Sequence, residues 1–160
     1  MEAEPRIKLE IDAEVLRCRD TEGAIAWETP IAKIVLIAEY TTDEGPWVDD
    51  YFLHFWSDEE SRLLRASATY YADGCVEVIQ ELSKRLGAKI ELGLHSSAEW
   101  KSRVLWPPEL ADHPYFTFRE VEPNSWLQRV KRCGFGPTLE YSPSHEVKTF
   151  LRRYEPDANA

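Results

Sequence analysis

The sequence predicts an α+β domain in which a bent antiparallel sheet, or partly open barrel, is closed by one amphipathic helix. Short alternations of apolar and polar residues, separated by turn residues, recur along the N-terminal half and indicate a meander of strands. One strong 3.6-residue period follows them and indicates a helix, with Gly87 at the position of its C-terminal cap. Because 43% of the 160 residues are hydrophobic, the chain can form a core without disulfides.

The predicted strands begin with an alternation of apolar and charged residues over positions 7–19. A turn at positions 12–14 divides this segment into two strands or bends a single one. Because the β-branched run at 34–40 is bulky on both faces, we expect it to be buried on both sides of its sheet. The remaining predicted strands lie at 24–27, 51–56 and 62–68.

The clearest helical pattern follows Asp73 and ends at Gly87. The face predicted to be buried consists of Val76, Ile79, Leu82, Ser83 and Leu86. Apolar residues then alternate again over 90–94, as they do in the strands. Ser96 and Glu99 have the spacing of a capping box, which predicts a short helical turn around the next residue, Trp100.

Two consecutive prolines, Pro107 and Pro108, mark the predicted division of the chain. Residues 5–106 are expected to form the core, and residues 107–156 a C-terminal extension that packs on it. The extension is expected to contain one strand and two helices, at 115–121, 125–133 and 144–154.

Composition limits the classes of partner. The chain has 29 acidic and 19 basic residues, a formal charge of -10, and the excess of acid lies in its first hundred residues. A negative field repels nucleic acid and anionic membranes and attracts basic proteins. Cys18, Cys75 and Cys133 are far apart and are expected to be buried thiols in a reducing compartment. With no signal or membrane-spanning pattern, we expect a cytoplasmic protein without a nucleic-acid or membrane partner.

A more specific pattern lies around residues 41–52, which read TTDEGPWVDDYF. Together with Trp27 and the run at 34–37, this order of strand, T-D-x-G-P-x-x-D-D loop and aromatic strand resembles a small bacterial family of uncharacterised pleckstrin-homology-like (PH-like) proteins. The resemblance covers about residues 7–94. It implies a binding scaffold of unknown ligand, and some members of the family resemble immunity proteins that neutralise toxins.

The same loop carries the candidate binding site. Asp43, Glu44, Asp49 and Asp50 surround a Gly-Pro turn, and Trp47 lies among them. An aromatic anchor ringed by polar groups is typical of protein interfaces. We therefore predict that these five residues bind a protein partner, for which a basic protein is the expected class.

Two other functions stay open. The first is a small metal-dependent hydrolase that uses Asp43, Asp49 and Asp50 with His54, because converging carboxylates bind hard cations. The second is a homo-oligomeric structural subunit that associates through an edge strand or through the extension. Of the four histidines, His54 is the one expected to be buried, since it lies among aromatic strand residues.

The sequence contains no recognisable catalytic or cofactor-binding motif. Its histidines lack the spacing of metal ligands on a helix, and its seven glycines form no phosphate-binding loop. We therefore expect a non-catalytic protein without a cofactor or a bound metal.

Overall fold

The computed structural model describes residues 6–43, 48–97, 99–120 and 139–155. Over these residues the fold is α+β, with mostly antiparallel sheets and two short helices. A three-stranded sheet joins β1 (Lys8–Asp12), β2 (Val15–Arg19) and β3 (Ile25–Pro30) in chain order. A two-residue turn separates β1 from β2, so the prediction of two strands within 7–19 is confirmed.

A four-stranded antiparallel sheet forms the centre of the fold. Its strands are β4 (Ile34–Thr41), β5 (Tyr51–Glu59), β6 (Arg62–Thr69) and β7 (Lys101–Trp106). Their order across the sheet is β6-β5-β4-β7, so β4 is an inner strand, and β6 and β7 are the edge strands of the sheet. The strands predicted at 34–40, 51–56 and 62–68 are confirmed.

The strand β4 separates two apolar clusters. On one face, Ile34 and Ile37 pack with residues of the three-stranded sheet and of the first helix. On the other face, Val35, Leu36 and Ala38 pack with residues of the C-terminal extension. The prediction that this run is buried on both sides is therefore confirmed, which explains why it has no polar face.

The first helix, α1 (Cys75–Arg85), ends as its sequence predicts. Gly87 has a φ of 62°, and the backbone N–H groups of Gly87 and Ala88 donate to the carbonyls of Lys84 and Ser83 at 3.3 and 3.1 Å. This pair of bonds is a Schellman cap, in which glycine adopts the left-handed conformation without a steric cost.

The buried face of α1 differs from the predicted one. Its buried residues are Cys75, Val78, Ile79 and Leu82, which have the i, i+3, i+4, i+7 spacing of a single stripe. Val76 is 43% exposed, so its predicted burial was wrong. The difference lies in the rotation of α1 about its own axis, which directs the stripe that begins at Cys75 to the core and Val76 away from it.

The C-terminal part contains a hairpin and a second helix. The hairpin pairs β8 (Phe116–Glu120) with β9 (Leu139–Pro143), and α2 (His145–Leu151) continues into a 3₁₀ turn, Arg152–Tyr154. The Ser144 side chain accepts a hydrogen bond from the Val147 N–H at 3.3 Å and caps α2. The strand predicted at 115–121 and the helix predicted at 144–154 are confirmed. The strand β9 was not predicted. The helix predicted at 125–133 lies outside the described residues.

Three predictions about the core need correction. Within the described residues the two larger sheets are open and are not closed into a barrel. Residues 90–94 pair with none of the strands that the structure describes, although their apolar side chains alternate. Trp100 lies between a bend at Glu99 and the start of β7 rather than in a helical turn, and the Ser97 hydroxyl, not that of Ser96, accepts the Glu99 N–H at 3.4 Å. The division of the chain at 106 stays a prediction.

No helix in the described ranges is long and apolar enough to cross a membrane.

Replacing Gly74 with alanine is expected to lower the free energy of unfolding by about 2 kcal/mol. Gly74 precedes α1 with a φ of 82°, and a Cβ there would lie 2.5 Å from the Leu9 carbonyl oxygen. Gly23 is the matched control, because its φ is 85° but no atom lies within 4 Å of its Cβ position. Urea unfolding of both alanine variants measures the difference. Equal losses would show that the close approach of position 74 to the Leu9 carbonyl oxygen does not contribute to the cost.

Candidate functional site

The predicted binding residues lie in the hairpin that joins β4 to β5. The last strand pair is Thr41 with Tyr51, and the Thr42 N–H donates to the Asp50 carbonyl at 2.8 Å. Asp43 and Asp49 are exposed and Asp50 is half-buried. Glu44 and Trp47 lie outside the described residues, so their predicted role stays a prediction.

The carboxylates of Asp43 and Asp50 form hydrogen bonds at opposite edges of the central sheet. Asp43 accepts a hydrogen bond from the indole N–H of Trp100 at 2.6 Å, next to the edge strand β7. Asp50 accepts one from the hydroxyl of Tyr71 at 2.7 Å, just beyond the other edge strand, β6. The hairpin therefore directs these two predicted residues to different surroundings.

One of these surroundings is an exposed patch with apolar and acidic groups together. Tyr71 is 52% exposed and Val48 is 58% exposed, and Asp49 and Asp50 follow Val48 directly. The hydrogen bond to Asp50, partial burial and the nearby negative charges raise the pKa of Tyr71 to about 12. We call Val48, Asp49, Asp50 and Tyr71 the acidic end of the molecule.

Asp49 also lines a cavity of about 300 Å³ between the three-stranded sheet and the edge strand β6. Trp27 bridges the two sheets there, since its indole N–H donates to the Ser67 carbonyl at 2.8 Å. Asp20 and Phe52 are further lining residues. Within the described part of the chain, the Asp49 carboxylate makes no hydrogen bond or ion pair, so its charge is available to a ligand.

His54 lies apart from the acidic end. It is buried, as predicted, and its contacts are with aromatic residues: its ring packs against Tyr40 and Phe116, and its Nδ1 lies 2.8 Å from the Tyr115 hydroxyl. Among the described residues, no three His, Cys, Asp or Glu side chains are placed to share a metal ion. The hydrolase alternative thus gains no support from this geometry.

A buried polar cluster was missed at the sequence level. Glu39 of β4 is completely buried and accepts hydrogen bonds from Arg103 Nε at 2.6 Å, from the Gly93 N–H at 3.1 Å and from the Tyr51 hydroxyl. Burial and the Glu39 charge raise the pKa of Tyr51. Glu39 belongs to a run that otherwise has the composition of an apolar strand, and its cationic partner is distant in sequence, so no local pattern indicates the cluster.

A second cavity, of about 690 Å³, lies between α1 and residues 89–95. Neither a motif nor a charge pattern indicated it, because it depends on how α1 packs beside a segment without regular structure. The alternation of apolar side chains at 90–94 was visible in the sequence, but it did not indicate a cavity.

Comparisons with known proteins leave the function to be argued from this geometry. The resemblance to PH-like proteins stays a prediction, because these comparisons found no related protein. No family model, curated protein or solved structure matches the chain.

Proposed function

We propose that this chain is a non-catalytic protein-interaction module whose acidic end binds a basic protein. The observation that carries the proposal is the exposure of Val48 and Tyr71 directly beside Asp49 and Asp50. Exposed apolar side chains contribute to binding when a partner covers them, and adjacent charges set orientation and partner class.

The cavity beside the acidic end supports the same function. It gives the partner a recess next to Asp49, and a side chain that enters it gains apolar contact with Trp27 and charge contact with Asp49 or Asp20. Among the described lining residues the cation is Arg19, and it is already paired with Glu10 at 2.7 Å, so it competes little with an incoming cation.

The proposal extends to the full predicted loop, with Asp43, Glu44 and Trp47 as further contacts. It includes a PH-like relationship, an immunity-like role in bacteria and a cytoplasmic location. The location is supported by the two described cysteines, Cys18 and Cys75, which are buried free thiols whose pKa values are raised by burial. Thiols of this kind are inert and suit a reducing compartment.

Neutralising the acidic end is expected to weaken capture of the partner about tenfold at low salt. The test variant is Asp49→Asn with Asp50→Asn, in which asparagine still accepts the Tyr71 hydrogen bond. The control variant is Glu60→Gln with Glu109→Gln, an equal loss of charge at two exposed residues outside the loop. Immobilised wild type and both variants are incubated with lysate of the source organism, and the captured proteins are quantified by mass spectrometry at low and high salt.

The proposal predicts a basic protein captured by wild type and by the control variant but depleted from the loop variant, with the difference shrinking at high salt. Equal capture by the two variants would show that net charge, not the acidic end, attracts the partner. Failure of wild type to enrich any protein would overturn the proposed function.

A further inference from the structure

The groove between α1 and residues 89–95 has the shape and lining of a second binding site. Its volume of about 690 Å³ lies within the range of ligand-binding clefts. Its apolar lining includes Tyr70, Val76, Ile79, Ile90 and Leu92. None of the residues of the acidic end lines it, so it is a distinct surface.

The segment on one side of the groove has the side-chain pattern of a strand but pairs with none of the described strands. Lys89 and Glu91 are exposed, Ile90 is buried and Leu92 is half-buried, an alternation typical of extended chain. Within the described part of the chain, residues 89–93 make no backbone–backbone hydrogen bond. These residues therefore have the side-chain pattern of a strand without the hydrogen bonds of a β-sheet in the described structure.

Only part of this backbone is satisfied by side chains. The Ile90 N–H donates to the Ser83 hydroxyl at 3.1 Å, the Gly93 N–H donates to Glu39, and the Glu91 carbonyl accepts from Arg103 at 2.9 Å. The first of these bonds ties the segment to α1, and the other two tie it to the central sheet. Backbone groups that remain need water or another chain as a partner.

The charges on the rim distinguish this groove from the rest of the acidic chain. Its charged lining residues are Lys84, Lys89 and Glu91, a net charge of +1 against -10 for the chain. The side chains of Lys84 and Lys89 are 76% and 80% exposed, and their bonds to Glu81 and Glu91 are surface ion pairs. Such pairs contribute little and are readily exchanged for a carboxylate of a ligand.

We infer that this groove binds an extended segment of a partner protein in which apolar side chains alternate with carboxylates. The segment adds as a strand to residues 89–93, its apolar side chains cover Val76 and Ile79, and its carboxylates meet Lys84 and Lys89. Strand addition of this kind gains affinity from main-chain hydrogen bonds and specificity from alternate side chains. The site does not depend on the acidic end.

The probe for the test is an acetylated and amidated pentapeptide of alternating glutamate and valine. It is titrated into the full chain while amide chemical shifts are recorded by NMR. Two comparison peptides isolate the interactions: one replaces glutamate by lysine, and one carries N-methyl groups that prevent main-chain pairing. Val76→Asp is the groove variant, and Val48→Asp is its control, since both valines are exposed and only Val76 lines the groove.

We expect saturable, millimolar binding of the glutamate peptide that shifts the amides of residues 89–93, with binding at least tenfold weaker for both comparison peptides. We expect Val76→Asp to abolish the shifts and Val48→Asp to preserve them. The inference is overturned if the glutamate peptide causes no saturable shift, if the N-methyl peptide binds equally well, or if Val76→Asp has no effect. None of these results bears on capture through the acidic end, so the two proposals fail separately.

Discussion

Replacing Arg103 with alanine is expected to lower the free energy of unfolding by about 3–5 kcal/mol. Arg103 pairs with Glu39, which is completely buried, and also donates to Asp112 at 2.7 Å and to the Glu91 carbonyl. Removing the guanidinium leaves the Glu39 carboxylate without its cation where water does not reach it. Urea unfolding measures the loss.

Arg85→Ala is the matched control for this experiment. The Arg85 and Arg103 side chains are both 28% exposed and each pairs with two carboxylates, but the partners of Arg85, Glu81 and Glu14, are themselves 38% and 84% exposed. We expect a clearly smaller loss for Arg85→Ala, because its partners remain hydrated. Adding Glu39→Gln to Arg103→Ala is expected to restore part of the stability. If the two arginine variants lose the same amount, burial of Glu39 is not the cause.

Lowering the pH from 7.5 to 4.5 is expected to cost about 3 kcal/mol of stability through His54 alone. Burial, with a contribution from Arg65, lowers the pKa of His54 from 6.5 to about 3. Below pH 6.5 the unfolded chain binds a proton at this histidine that the folded chain does not, so the free energy of unfolding falls with pH. Above about pH 7.5 the group is neutral in both states and contributes no pH dependence.

The contacts of His54 explain why the folded state keeps it neutral. The Tyr115 hydroxyl lies 2.8 Å from His54 Nδ1 and accepts a hydrogen bond from the Trp56 indole N–H at 2.8 Å, so the ring is enclosed by neutral groups. A protonated imidazole carries a hydrogen on both ring nitrogens and can no longer accept a hydrogen bond.

The variant His54→Gln removes the titrating group and isolates its effect. Urea unfolding of wild type and variant at pH 7.5 and 4.5 gives the comparison, and groups common to both proteins, such as Glu10 with its pKa of about 2, cancel. We expect wild type to lose about 3 kcal/mol more than the variant over this interval. Parallel losses would contradict a depressed pKa at His54.

Features that depend on neighbouring residues were predictable from the sequence. The Schellman cap at Gly87 follows from the left-handed conformation that glycine favours, and the helix predicted from residue 144 does begin there, with Ser144 as its cap. The double burial of β4 followed from apolar side chains on both of its faces. Asp49 and Asp50 were placed in a hairpin because turn residues separate two strand patterns.

Features that depend on distant residues were not predictable in this way. The hydrogen bond between Asp50 and Tyr71 and the cavity between β3 and β6 exist only because separate strands meet there. The segment at 90–94 shows the limit clearly: alternation indicates which side chains are buried, but it does not indicate whether another strand lies alongside.

The sequence by itself determined the α+β class, the positions of most strands, both helix ends that carry caps, and the burial of His54 and Cys75. Each of these follows from local conformational preference or from the periodicity of apolar residues, and both are properties of short segments. Only the tertiary structure decided that the sheets stay open, that α1 turns Val76 into a groove, and that Glu39 meets Arg103. These outcomes depend on contacts between residues far apart in the chain, because packing and the pairing of buried charges select among arrangements that local sequence leaves equivalent.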